Sequence, residues 1–221
     1  MEIIEIVFEK QINRVNEVFE LVRKNIFSFK KDSVAILDEL ENNINLEEKR
    51  IEKICFNIIN GKKFDNLELE RLISFMKFNS NIEKIADLLK KINNSLHYLS
   101  KKEMIFPLIN IEKIMKDVKK MFDDSVYAFI KCKKEVGLAV IKNDVQIDEV
   151  VWEEFLRVQE FIVTFPQAVK RCQNIIRILN LLEIIGDVCK NTGEYVVLQK
   201  KLIESEGSIE TEDSNSNEKE I

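Results

Sequence analysis

NSNIEKIADLLKKIN, residues 79–93, and ILNLLEIIGDVCKNT, residues 178–192, share the pattern E-x-I-x-D. Glu83 and Asp87 carry it in the first stretch and Glu183 and Asp187 in the second, one hundred residues further on. Self-similarity at a long, fixed offset marks a duplicated structural unit. In both stretches apolar residues return every three or four positions, which aligns them along one side of an α-helix. The two stretches are therefore read as the same helix of two repeated units, and the rest of the chain is organised around them.

Towards the N-terminus, Ile4, Val7, Phe8, Ile12, Val15, Phe19, Val22 and Ile26 form a core-facing stripe, which predicts a first helix ending near Lys31 and Asp32. A second helix is expected from Ser33 to Asn60, stopped by Gly61, and a third from Asn66 to Leu99 with Asp65 or Asn66 as its cap. Pro107 interrupts the pattern, and the three-helix order restarts near Ile109. There a helix should reach Lys131, another should span Val136 to Thr164, and a last one should open at Pro166, a favoured first-turn position, and run to Leu202. The expected fold class is all-α: two tandem three-helix bundles of six long helices, related by an internal pseudo-twofold repeat. Residues 1–100 form the first unit and 101–203 the second. Residues 204–221 are acidic and rich in Ser and Asn, with too little apolar surface to bury, and are expected to be a disordered tail.

Composition agrees. With 221 residues, 45% of them apolar, a core can be built, and five Gly and two Pro are too few for a strand-and-turn protein. A net charge of −5 offers no basic field to hold a nucleic-acid backbone, so nucleic acid is not an expected partner. Cys55, Cys132, Cys172 and Cys189 stand far apart without a CxxC pair, which suggests neither a zinc knuckle nor a disulfide framework and fits a reducing cytosol. The acidic start MEIIEIVFEK does not read as a secretory signal, and no run of about 18 apolar residues occurs, so the expected location is cytoplasmic. His97 is the single histidine, which removes histidine acid–base pairs, Glu-x-x-His di-iron sites and His-rich zinc centres. With no Gly-rich phosphate cradle either, the chain is expected not to be an enzyme. Trp152 and the Phe residues fall at helical spacing and read as core or interface.

The residues with chemical potential are the acidic ones. Glu83 and Asp87, like Glu183 and Asp187, are four apart and share a helix face, where like charges repel by a few tenths of a kcal/mol. A lysine or a cation is therefore expected beside each pair. Asp144 and Asp148 make a further pair on the preceding helix, and Glu41, Asn45 and Glu48 occupy the corresponding stretch of the first half. Two oxygen-ligand sets follow: Asp144, Asp148, Glu183 and Asp187 in the second half, and Glu41, Asn45, Glu48, Glu83 and Asp87 in the first. Spacing alone favours a plain solvated face over a cation site. Gln173, Arg177, Asn180, Glu183, Asp187, Asn191 and Glu194 make one continuous polar stripe, and Asp87 can pair with Lys91 and Asp187 with Lys190. Any metal on such hard oxygen ligands should be Mg, Mn, Ca or Fe rather than zinc, and should load first in the second half, because Asn45 replaces a carboxylate in the first. No organic cofactor is expected.

KNDVQIDEVVWEEF, residues 142–155, then Pro166, then NLLEIIGDVCKNTGEYVV, residues 180–197, resemble the PhoU family. Its repeat places an acidic D-x-x-x-D helix before a helix with an LERIGD-like motif. Glu183, Ile185, Gly186, Asp187 and Asn191 fall on that motif. ENNINLEEKRIEKICFNII, residues 41–59, and NIEKIAD, residues 81–87, resemble the same repeat. The likeness spans roughly residues 1–200. It implies the two-bundle fold and a role in phosphate signalling. In that role the chain would restrain phosphate uptake by binding the ATPase of a phosphate ABC transporter and a sensor histidine kinase, with a homodimer as the assembly. It also implies metal clusters on the acidic faces, as in some members. The chain departs from the pattern at Ala86, where Gly is common, at Phe64, where Pro is usual, at Glu70, where Arg is common, and at Lys84 and Ile184, where the motif has Arg. The competing readings are a helical scaffold and an accessory of a different phosphate transporter without a kinase link.

Overall fold

The computed structural model describes residues 2–61, 63–101 and 109–216, with the side chains of 7–199 apart from 62, 67 and 102–108. The interruption expected around Pro107 lies outside the described residues. Six α-helices follow one another: α1 (Glu2–Phe27), α2 (Asp32–Gly61), α3 (Asn66–Ser100), α4 (Ile111–Lys131), α5 (Lys134–Thr164) and α6 (Val169–Ser216). Among the described residues there is no strand, and no helix is long and apolar enough to cross a membrane.

Helix ends follow local chemistry. Asp65 caps α3 by accepting a hydrogen bond from the Glu68 N–H at 2.7 Å, and Asn110 caps α4 through the Lys113 N–H at 3.1 Å. α4 stops at Cys132, which adopts the left-handed conformation (φ 49°), while the Lys133 N–H returns to the Ala128 carbonyl at 2.9 Å. Three ends differ from the sequence reading. α1 ends at Phe27 instead of near Lys31, because the Asn25 carboxamide takes the Lys30 N–H and donates to Ser33 Oγ and Asn93 Oδ1, both at 2.7 Å. This side-chain bonding competes with the next helical turn. Pro166 opens a 3₁₀ turn, Pro166–Ala168, closed by the Ala168 N–H on the Phe165 carbonyl, and α6 begins only at Val169. α6 also continues past Leu202 to Ser216, beyond the expected start of the tail at 204. Residues 217–221 lie outside the described residues.

The two units are built alike. α1 buries Phe8, Ile12, Val15, Val18, Phe19, Val22 and Ile26, and α4 buries Ile111, Met115, Val118, Met121, Phe122, Ser125 and Phe129 at the same spacing. Each large apolar side chain so buried contributes about 1.5–3 kcal/mol. α1 runs parallel to α3, as Phe8 meets Phe75 and Phe78 near one end and Asn25 meets Asn93 near the other. Between the units, α3 and α6 pack antiparallel, with Lys77 Nζ on Tyr195 Oη at 2.8 Å and Asn81 Nδ2 on Thr192 Oγ1 at 3.3 Å. Phe19 and Phe122 hold equivalent places on α1 and α4 and touch each other, ring centroids 5.4 Å apart, as residues beside a pseudo-twofold axis must. In the second unit α5 and α6 approach at Gly137 and Gly193. A Cβ built on Gly193 would stand 2.8 Å from the Gly137 carbonyl oxygen.

Candidate acidic faces

The second-half face is built by α5 and α6. Asp144 is fully buried, and the Lys190 ammonium lies 2.7 Å from its Oδ2 and 3.9 Å from Asp187 Oδ1. Asp144 Oδ1 has no hydrogen-bond partner and looks at Gly186, where an added Cβ would sit 3.4 Å away. Burial pushes the Asp148 carboxyl above its ordinary range, helped by the charges of Asp144 and Asp187. Glu183 is pushed up by burial and then by Asp148, Asp187 and Asp144. Its neighbours on the expected polar stripe, Gln173, Arg177, Asn180, Asp187, Asn191 and Glu194, are exposed, so the stripe is a solvent face that dips inward at Glu183. The four carboxylates named from spacing therefore share one electrostatic field. The lysine expected beside them is Lys190, and it pairs more closely with Asp144 than with Asp187.

α2 and α3 repeat the arrangement. Lys90, one hundred positions before Lys190, bridges Asp38 at 2.9 Å and Glu41 at 3.0 Å, and Lys91 holds Asp87 at 2.6 Å. Asn45 donates through Nδ2 to Glu41 Oε1 at 2.8 Å. Burial raises Glu83, with the charges of Glu48, Asp87 and Glu41 adding to it, and burial and then Glu52 raise Glu48. Glu41, Glu48, Glu83 and Asp87 thus form the first face, in which Lys90 holds Glu41 and Lys91 holds Asp87. Spacing alone did not pick out Lys90 or Asp38, and the repeat offset from Lys190 was the signal that could have found the lysine.

Among the described residues no three Asp, Glu, His or Cys side chains converge into a ready-made metal cage. The donor set nonetheless fits a hard cation. It is all oxygen, and Asp144 Oδ1 is a buried acceptor without a donor. Asp144, Asp148, Glu183 and Asp187 would hold the ion once Lys190 swung aside, and the ion would supply charge neutralisation. The open hollows of about 410 and 450 Å³ lie elsewhere, the first over Phe8, Phe75 and Phe129 and the second in the α4/α5 groove at Lys113 and Gln146. His97 is half-buried against the Phe29 ring, centroids 4.9 Å apart, away from either face. The four cysteines are free, and burial pushes the Cys189 thiol up to about 12.

The raised carboxyls give stability a particular pH dependence. Asp148, Glu183, Glu83 and Glu48 bind protons more tightly in the fold than in the unfolded chain, so their ionisation opposes folding. Their contribution is favourable below the unfolded carboxylate values and is lost as pH rises through the raised folded values. Mild acidification from neutral pH towards that window should therefore raise the melting temperature. Glu183→Gln should raise it at neutral pH and flatten the slope. Melting curves across this range check the sign, and a melting temperature that falls steadily on mild acidification would contradict it.

Two stretches of the chain, residues 3–96 and 111–196, each match the model of the PhoU domain. The chain belongs to the PhoU family. Its relatives include a phosphate-specific transport system accessory protein PhoU homolog from Pseudomonas aeruginosa, 26% identical over 160 residues, covering 72% of this chain and 66% of that protein. A homolog of the same description from Aquifex aeolicus is 24% identical over 170 residues, 76% of this chain and 77% of the other. In fold, this PhoU-family chain is similar to the crystal structure of PhoU from Pseudomonas aeruginosa, with a TM-score of 0.77 at 22% identity over 89% of this chain and 98% of the other. It is also similar to the phosphate transport system regulatory protein PhoU from Streptococcus pneumoniae, with a TM-score of 0.74 at 18% identity over 89% and 94%. The duplicated match is the repeat that the two E-x-I-x-D stretches announce.

Proposed function

We propose that this chain is an accessory regulator of phosphate uptake that acts by binding partners. The observation that carries the reading is the double PhoU-domain match, together with relatives described as phosphate-specific transport system accessory proteins. Its partners are the ATPase of a phosphate ABC transporter and a sensor histidine kinase on the cytoplasmic side of the membrane. The chain restrains uptake and the starvation response when phosphate is ample. The acidic faces take a divalent or trivalent cation (Mg, Mn, Ca or Fe), the second face first. That order rests on Asn45, a neutral amide that stands in the first face where Asp148 stands in the second and is the weaker ligand for a hard ion. The lysine bridges favour a second reading, in which both faces are satisfied internally and the chain is a helical scaffold.

Deletion of the gene in its own host should derepress phosphate-scavenging genes in phosphate-rich medium, read by transcript levels. Unchanged transcripts in a strain without a second copy of the gene would remove the regulatory reading. The metal arm is separate. Purified wild type is compared with Glu183→Gln/Asp187→Asn and with Glu83→Gln/Asp87→Asn for metal content and thermal shift. Metal lost from the second-half variant and kept in the first-half variant supports the order. Metal absent throughout leaves the scaffold reading.

A further inference from the structure

We propose that the outer face of α5 is a docking surface for a basic amphipathic helix of a partner protein. Leu138, Val145, Trp152, Leu156 and Val163 are 50%, 54%, 60%, 41% and 82% exposed. They recur at seven- and four-residue steps, so they lie in one narrow stripe along the helix. Trp152 stacks on Phe155, centroids 5.6 Å apart, and broadens the stripe at its middle.

The repeat supplies an internal control. Ile44 and Cys55 are buried on α2 where Ile147 and Val158 are buried on α5, and Glu41 and Asp144 hold the equivalent lysines. In that register α2 carries Ala35, Asn42, Lys49, Lys53 and Asn60 where α5 carries the stripe. The exposed apolar residues of α2, Ile36, Leu46 and Phe56, stand singly at different angles. The fold is thus made without such a stripe in one unit and carries it on solvent in the other. An exposed apolar stripe of this kind marks an interaction surface.

Charge selects the occupant. On the α6 side the stripe borders Asp148, Glu183 and Asp187, with Lys190 among them, whose ammonium is held by Asp144. On the α4 side Glu149, Glu153, Glu160 and Asp117 are offset by Lys113, Lys120 and Lys142. The field is therefore negative and concentrated along the α6 flank. A second copy of the chain would set these carboxylates against one another, and an anionic lipid surface would be repelled. A helix with apolar anchors at three-, four- and seven-residue steps and Lys or Arg along one flank meets both the stripe and the charge. This surface depends on neither the phosphate-uptake reading nor a bound metal.

Trp152 is the single tryptophan, so its emission reports burial of the stripe. The full chain, in buffer containing a chelator, is titrated with a helical Lys/Leu peptide of about five turns. The comparison probes are a Glu/Leu peptide of the same pattern and phosphatidylglycerol vesicles. The Lys/Leu peptide should shift the emission to the blue, with affinity falling as salt rises. Val145→Asn, Leu156→Lys and Val163→Asn together, the residues α2 uses, should weaken binding by roughly tenfold or more. Asp148→Asn with Asp187→Asn should weaken it and lessen its salt dependence, a second readout should the triple variant fail to fold. No blue shift with the Lys/Leu peptide would overturn the proposal, as would an equal shift with the Glu/Leu peptide or the vesicles. So would a shift produced by raising the protein concentration alone, which assigns the face to a second copy.

Discussion

Gly193→Ala is expected to destabilise the chain by about 1–3 kcal/mol, although alanine is the better helix former. The new Cβ would stand 2.8 Å from the Gly137 carbonyl oxygen and 3.4 Å from Val140 Cβ. The nearest of these is backbone and cannot rotate away, so α5 and α6 must separate at their crossing. Propensity returns at most about 1 kcal/mol, less than overpacking removes. In a chain of this size the net loss lowers the melting temperature by roughly 3–10 °C. Gly186→Ala is the control. Its Cβ would meet Asp144 Oδ1 at 3.4 Å and Ile147 at 3.8 Å, ordinary contacts, and Ala86 already fills the equivalent place in the first unit. It should leave stability unchanged or raise it slightly. Denaturant titration of the two variants decides the matter, and a Gly193→Ala chain as stable as Gly186→Ala would show that the crossing is not close-packed.

Lys190→Met should cost about 2–4 kcal/mol at neutral pH. Asp144 is fully buried, and the Lys190 ammonium at 2.7 Å is its ion-pair partner. Removing one member of a buried pair strands the other and costs about 3–5 kcal/mol. The lower figure allows for Lys190, whose side chain is 32% exposed and works partly in solvent. Asp144→Asn added to Lys190→Met should recover most of the loss, because no uncompensated charge is then left in the α5/α6 interface. Stability measured around this double-mutant cycle gives the coupling directly, and strictly additive losses would deny the pair its role. The same variant separates the two readings of the face. If a cation takes the place of the ammonium, manganese should raise the melting temperature of Lys190→Met more than that of wild type, by mass action. An equal response in both would tell against the metal reading and leave the ion pair standing.

Most of the architecture was legible before any coordinates, because helix formation and repetition are written in neighbours along the chain. A stripe such as Val15, Phe19, Val22 and Ile26 predicts a helix through its 3.6-residue period alone, and Asp65 predicts a cap through the N–H groups that follow it. The match of Glu83 and Asp87 with Glu183 and Asp187 likewise announced two units and named the acidic residues that the fold brings together. What stayed out of reach depends on the angle at which one helix meets another. Asp144 and Asp148 are indistinguishable by spacing, yet the first is sealed in and the second half-buried, since α6 passes directly over Asp144 at Gly186. Lys190 stands three residues from Asp187, a normal helix-surface pair, and still turns to Asp144 across the interface. Trp152, read as core or interface, is exposed because the buried side of α5 is claimed by Val140, Ile147, Val151 and Val158. Sequence by itself determined the helices, the duplication and the chemical make-up of the faces. Only tertiary structure decided which carboxylate is desolvated, which cation answers it and which apolar stripe faces water, because burial and charge pairing are set by residues distant in the chain and adjacent in space.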